Sequence, residues 1–415
     1  MRLPHFMALA EPQRLKKVVT HGLHGLHHTT KAIGYLPDIV LNRLNTIAGG
    51  HSADELPEAD AHMRLILGLS NKARQPLTLE TLSHLRTLFS AIGVSLQDPQ
   101  RIQNSAIPKS NQASDNQATD KGKSKGKKSR QAQLPVSYYD QSITNSDGKA
   151  MRIRCYQAGS GNPDEIAMLF MHGGGFCIGS IATHHEFCHQ VCEQTGWSVV
   201  SVDYRLAPKD KAPTALYDSV AAYQWLCANA PTLGALPERI VVSGDSAGGC
   251  LATLLAQLSA NTTREATAVT TLPKAPLAQV LLYPITDFDN IYPSRQQYGS
   301  GMLLNANDMD VFSQAYLKNN DGTSTHPLVS PMHGYCENLC PALSVIAELD
   351  LLKDEGLAYA KKLQECGTEV EIYRVKQAPH GFLHFMSVHK GMRQETTQMI
   401  AKMRSFVSPL LTEAK

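Results

Sequence analysis

From Ala167 onward the chain sets short, nearly continuous apolar runs against longer stretches of helical period. AMLFM (167–171), SVVSVDY (198–204), RIVVSG (239–244), AQVLLYP (278–284), LSVIAEL (343–349) and VEIYRV (370–375) are rich in β-branched residues and carry few charges. A strand buried on both faces reads this way. Between them, TALYDSVAAYQWLCANA (214–230) and DEGLAYAKKLQECG (354–367) bring apolar residues back every three to four positions. The alternation predicts a mostly parallel sheet with helices on both faces, an α/β architecture.

Upstream the pattern is purely helical. LTLETLSHLRTLFSAIG (77–93) places Leu82, Leu85, Phe89 and Ile92 on one stripe, opened by Thr78 and closed by Gly93, and LPDIVLNRLNTI (36–47) repeats the logic. Both are expected to be amphipathic helices that pack on another unit. From Gln103 to Gln133 the chain turns to Ser, Asn, Gln, Lys and Gly with almost nothing to bury, so it cannot offset its ordering entropy and is expected to be a mobile linker. The expected organisation is a helical extension over 1–102, part of it serving as a cap, a basic and polar linker over 103–134, and the α/β domain over 135–415.

At 415 residues, 42% hydrophobic and 18% charged, the composition is that of an ordinary globular protein. The net charge of +2 becomes −4 once the six basic residues of KGKSKGKKSR (121–130) are set aside, so no nucleic-acid partner is expected. All nine cysteines lie from Cys155 onward, and an odd count argues against a disulfide framework and for a reducing compartment. No stretch approaches a membrane span, and MRLPHFMALAEPQRLKK at the N-terminus lacks a signal-peptide core. A cytoplasmic protein without stable membrane insertion is therefore expected.

The chemistry enters with RIVVSGDSAGGCLATLLAQL (239–258), which reads strand, sharp turn, helix, with G-x-S-x-G over Gly244, Ser246 and Gly248. Small flanking residues let the backbone pass close to itself while a serine is held in a strained conformation at the strand end, and the helix that follows aims its N–H groups at a developing oxyanion. MLFMHGGGFCIGS (168–180) supplies three glycines directly after another strand. It lacks the lysine and Ser/Thr of a phosphate loop, so His172–Gly175 reads as a loop whose backbone N–H groups face a carbonyl oxygen. Gly173, Gly174 and Ala247 are the expected donors. The order nucleophile, acid, base then points to Asp350 at the end of LSVIAEL and to His380 in KQAPHGF, beyond the last strand. Glu348 shares a strand face with Asp350 but lies further from the strand's C-terminal end, and Asp354 and Glu355 open a helix, where capping and the helix dipole explain acids.

HGGGF, VSVDYRLAP, GDSAGG, LLYP, DLLKDEG and HGF occur together and in this order. From about Pro135 to the C-terminus the chain resembles the hormone-sensitive-lipase-like branch of the α/β hydrolases, also called bacterial esterase family IV. The resemblance implies the α/β hydrolase fold with a helical cap, Ser246 as nucleophile, His380 as base, Asp350 as its orienting acid, and Gly173, Gly174 and Ala247 as oxyanion hole. It implies hydrolysis of a small-molecule ester or lipid, of short to medium acyl chain, with no cofactor. A long-chain triacylglycerol lipase, an amidase and a non-catalytic receptor on the same fold stand as alternatives, and the resemblance is compatible with a homo-oligomer. A cap insertion is expected at about 286–326, with Tyr298, Met302, Leu303 and Phe312 in the acyl pocket. Leu351 stands where the family commonly has Pro after the acid, a change in backbone stiffness rather than chemistry.

Two histidine-rich stretches have the residue types of a metal site. His21, His24, His27 and His28 lack an acidic or thiol partner, and His185, Cys188, His189 and Cys192 lie four apart on a helix expected to pack on the sheet, where a buried free cysteine is ordinary. No metal is expected at either.

Overall fold

The computed structural model describes residues 26–99, 101, 135–260, 270–317 and 323–413. The expected linker over 103–134 lies outside the described residues, as do His21 and His24. Four helices come first: α1 (Leu26–Ile33), α2 (Asp38–Ala48), α3 (Ala61–Ala73) and α4 (Leu82–Leu96). The strands are β1 (Val136–Thr144), β2 (Ala150–Ala158), β3 (Ala167–Met171), β4 (Ser198–Val202), β5 (Ile240–Asp245), β6 (Ala278–Leu282), β7 (Ala342–Leu349) and β8 (Val370–Pro379). The main helices among them are α5 (His185–Thr195), α6 (Thr214–Asn229), α7 (Ala247–Ala260), α8 (Pro293–Tyr298), α9 (Ala306–Tyr316), α10 (Lys353–Glu365) and α11 (Lys390–Val407).

Among the described residues the strands form one eight-stranded sheet in the order β1-β2-β4-β3-β5-β6-β7-β8. From β4 to β8 all pairs are parallel, and β2 joins β4 antiparallel. Each position of β3, β4, β5 and β6 is buried, as expected of strands covered on both faces. All six apolar runs of the sequence are strands. The antiparallel hairpin of edge strand β1 with β2 gives no sequence signal, because VSYYDQSIT and AMRIRCYQA mix charges into half-exposed strands and leave no continuous apolar run.

The end of α4 is also corrected. It runs past Gly93 to Leu96, because Gly93 serves close packing and not chain reversal: a Cβ there would lie 3.3 Å from Cγ2 of Thr183. The N-terminal helices are tied to the α/β body by polar clamps. Arg86 donates to the carbonyl oxygens of Cys177 and Ala207, each at 2.6 Å, and Gln97 donates to those of Ala182 and Thr183. Arg74 pairs with Asp308 at 2.7 Å and donates to the carbonyl oxygens of Met302 and Leu303.

A second correction concerns the cysteines. Cys336 and Cys366 form a disulfide that joins the segment before β7 to the end of α10. An odd count requires only that one thiol stay unpaired and excludes no single bridge, so nine cysteines do not by themselves indicate a reducing compartment. No helix among the described residues is long and apolar enough to cross a membrane.

Candidate active site

Parallel strands deliver their C-terminal ends to one edge of the sheet, and the three residues singled out as nucleophile, acid and base all follow such ends. Ser246 sits between β5 and α7, Asp350 directly after β7, and His380 directly after β8. Ser246 has φ 54°, the left-handed region that a non-glycine residue rarely occupies. The turn is held open on both sides, since the Ser246 N–H donates to Leu282 O at 2.8 Å and the Ile285 N–H donates to Ser246 O at 3.2 Å. Its tightness explains the flanking glycines: a Cβ on Gly248 would collide with the carbonyl of Met171, and one on Gly244 with the carbonyl of Gly248.

His380 bridges the other two. Its Nδ1 lies 2.7 Å from Asp350 Oδ2 and its Nε2 2.8 Å from Ser246 Oγ. Asp350 is buried, and its other oxygen accepts from the Leu352 N–H at 2.9 Å. With the proton on Nδ1 directed at the carboxylate, Nε2 is the free acceptor for the serine proton, the arrangement that activates a hydroxyl nucleophile. The neighbouring acids are engaged elsewhere. Glu348 pairs with Arg374 at 2.9 Å, Asp354 accepts from the Ser294 N–H at 2.8 Å, and Glu355 accepts from the N–H groups of Thr286 and Asp287.

The glycine loop departs from expectation at one position. The Gly173 N–H donates to Asp245 Oδ1 at 2.7 Å and is therefore committed, so the expected donor role of Gly173 is not available in this arrangement. Among the described residues the N–H groups of Gly174, Gly175 and Ala247 have no protein acceptor. Asp245, which the sequence reading passed over inside GDSAGG, is the residue that positions this loop. It is buried, its carboxylate also faces His184 Nε2 at 3.2 Å, and it accepts from the Tyr283 hydroxyl at 3.3 Å. Burial opposes its ionisation, but His184, then His384 and the Gly173 N–H, outweigh that penalty and hold its pKa down at about 2. The signal was present, because a carboxylate at a fully buried strand end needs partners, but nothing in the sequence said which. Tyr204 supports the same loop, donating to His172 O at 2.6 Å.

Of the four acyl-pocket candidates, Phe312 packs against Gly175, where a Cβ would strike its ring. Tyr298 lies under the Lys353 ammonium at 5.2 Å and packs α8 on α10, while Met302 is buried and Leu303 half-buried, their carbonyls held by Arg74. Phe176 of the glycine loop stacks on Tyr316 with ring centroids 3.8 Å apart, an aromatic pair the sequence reading did not include. His27 bonds Leu96 O at 3.0 Å, and His185 Nδ1 lies 3.0 Å from the Tyr156 hydroxyl. Cys188 and Cys192 are buried, and burial pushes both thiols up.

A parallel sheet whose central strand ends in a strained serine elbow, facing a glycine loop on the next strand, defines an α/β hydrolase. The family profile described as alpha/beta hydrolase fold matches residues 168–384. The chain is 46% identical to Lipase 2 of Moraxella sp. (strain TA144), over 94% of this chain and 91% of that protein. It is 38% identical to an ethyl acetate hydrolase of Pseudomonas putida, over 62% of this chain and 79% of that one. Among solved structures, the hyperthermophilic esterase from Pyrobaculum calidifontis superposes with a TM-score of 0.67 at 28% identity, covering 84% of this chain and 98% of that chain. The chain belongs to the hormone-sensitive-lipase-like branch of the α/β hydrolases, a family of carboxylesterases and lipases.

Proposed function

We propose that the chain hydrolyses carboxylic esters of short to medium acyl length through an acyl-enzyme on Ser246. The observation that carries this is His380, within hydrogen-bond reach of both Ser246 Oγ and Asp350 Oδ2. As Oγ attacks the acyl carbon, its proton passes to His380 Nε2, and Asp350 stabilises the imidazolium. The carbonyl π electrons move onto oxygen, where the N–H groups of Gly174, Gly175 and Ala247 receive the charge; one such donor is worth about 3–4 kcal/mol of barrier. The alkoxide leaves with the proton from Nε2, and water repeats the sequence to free the acid. Helices α1–α4 with α8 and α9 act as the cap. Phe312 against Gly175 and the Phe176–Tyr316 stack crowd the loop with rings, which supports shorter acyl chains over long ones.

A series of p-nitrophenyl esters of increasing acyl length tests the chain-length reading, with turnover expected to peak at short to medium chains. A fluorophosphonate probe is expected to label Ser246, and Ser246→Ala to abolish turnover while keeping the fold. Labelling at another residue, or turnover retained in the alanine variant, overturns the assignment.

A further inference from the structure

Helix α2 has an apolar face wider than the part it buries. Leu41 and Ala48 turn inward and form a small cluster with Ala61 and Leu65 of α3, separate from the main core. On the outer side Ile39 is 66% exposed and Ile47 72% exposed, with Val40 and Leu44 at 37% each, and the turn before the helix adds Tyr35 at 76%. Leu69 of α3 extends the patch. Isolated exposed aliphatics are common, but a contiguous set on one helix face marks a surface that docks.

The charges around the patch say what it meets. Arg43 is exposed between Ile39 and Ile47 on that outer side, Lys72 reaches Ile47 O at 2.9 Å, and Asp38 at the first position is the single acid of the helix. Among the described residues neither Arg43 nor Lys72 has a carboxylate partner. A two-fold pairing of this face with itself would set Arg43 near its own copy, which disfavours a second chain as occupant. An anionic lipid surface satisfies both features, taking the aliphatic side chains into its headgroup boundary and the cations against its phosphates. We infer that the outer face of α2 is a peripheral docking surface for anionic phospholipid. The hairpin is fixed to the body by Arg74 on Asp308 and by Asp60 on His389 at 3.0 Å, so docking would hold the whole body against the phase where lipophilic esters collect. This is adsorption, not insertion, and it does not depend on the triad assignment.

Sedimentation of the full chain with phosphatidylcholine–phosphatidylglycerol vesicles tests it, against phosphatidylcholine alone and at raised salt. Wild type is expected to pellet with the anionic vesicles and to be released by salt, and Ile39→Ser with Ile47→Ser is expected to lower the bound fraction by about ten-fold. Arg43→Glu should weaken binding to the anionic vesicles. Both variants should keep wild-type turnover of a soluble ester without vesicles, which separates lost docking from a lost fold. Equal binding of wild type and the double variant overturns the inference, as does no binding by wild type. A wild type that sediments as a dimer while the double variant sediments as a monomer overturns it in favour of a second copy.

Discussion

Replacing Asp245 by Asn tests whether the glycine loop is held by charge. The side chain keeps its shape and one acceptor for the Gly173 N–H, but loses the negative charge facing His184 and the Tyr283 hydroxyl. The carboxyl is held at about 2 against an ordinary value of 3.8. At about 1.4 kcal/mol per pKa unit, ionised Asp245 contributes about 2 kcal/mol at neutral pH. Because the folded value is depressed, that contribution is fully present above about pH 4 and is lost as pH falls through about 2. Asp245→Asn should therefore unfold at lower urea at pH 7, with a loss of about 2 kcal/mol, and the gap to wild type should close below pH 4. A loop freed to shift by a fraction of an ångström should also lower kcat by about ten-fold on a p-nitrophenyl ester, with a smaller change in KM. A variant within about 0.5 kcal/mol of wild type and with full kcat would refute the reasoning. A stability loss with unchanged kcat would leave Asp245 a purely structural residue.

Other substitutions separate neighbouring roles. Asp350→Asn is expected to keep its melting temperature and lose about 10⁴ in kcat through the wrong imidazole tautomer, whereas Asp354→Asn, which only weakens the bond to Ser294 N, should lose stability and little turnover; a larger kcat loss at 354 would move the catalytic acid there. Gly248→Ala drives a methyl into the Met171 carbonyl and should cost at least about 3 kcal/mol or prevent folding, read by a thermal melt; a variant as stable as wild type would show that the elbow can open. Cys366→Ser removes the bridge to Cys336 and should lower stability by about 3 kcal/mol in urea unfolding, matching wild type treated with reductant; no difference between the two proteins would mean the bridge does not form in solution.

What the sequence determined by itself was local. Four of the six apolar runs, β3 to β6, are legible as strands because a strand buried on both faces must be largely apolar, and the elbow is legible because only small residues fit where backbone meets backbone. Residue order along the chain singled out Ser246, Asp350 and His380 from seventeen histidines and many acids, since parallel strands place their C-terminal ends together. Tertiary structure decided the rest, because it depends on which distant atoms meet. Two steps along β7, from Ala347 to Leu349, are matched by four along β8, from Val375 to Pro379, and that irregularity sets His380 beside Asp350. No sequence period encodes it. The commitment of the Gly173 N–H, the pairing of Cys336 with Cys366, and the outward face of α2 are likewise contacts, or missing contacts, between segments far apart in the chain. Apolar periodicity shows that a helix has a face to bury, and only the packed molecule shows that α2 buries one edge of its face and leaves the rest outward.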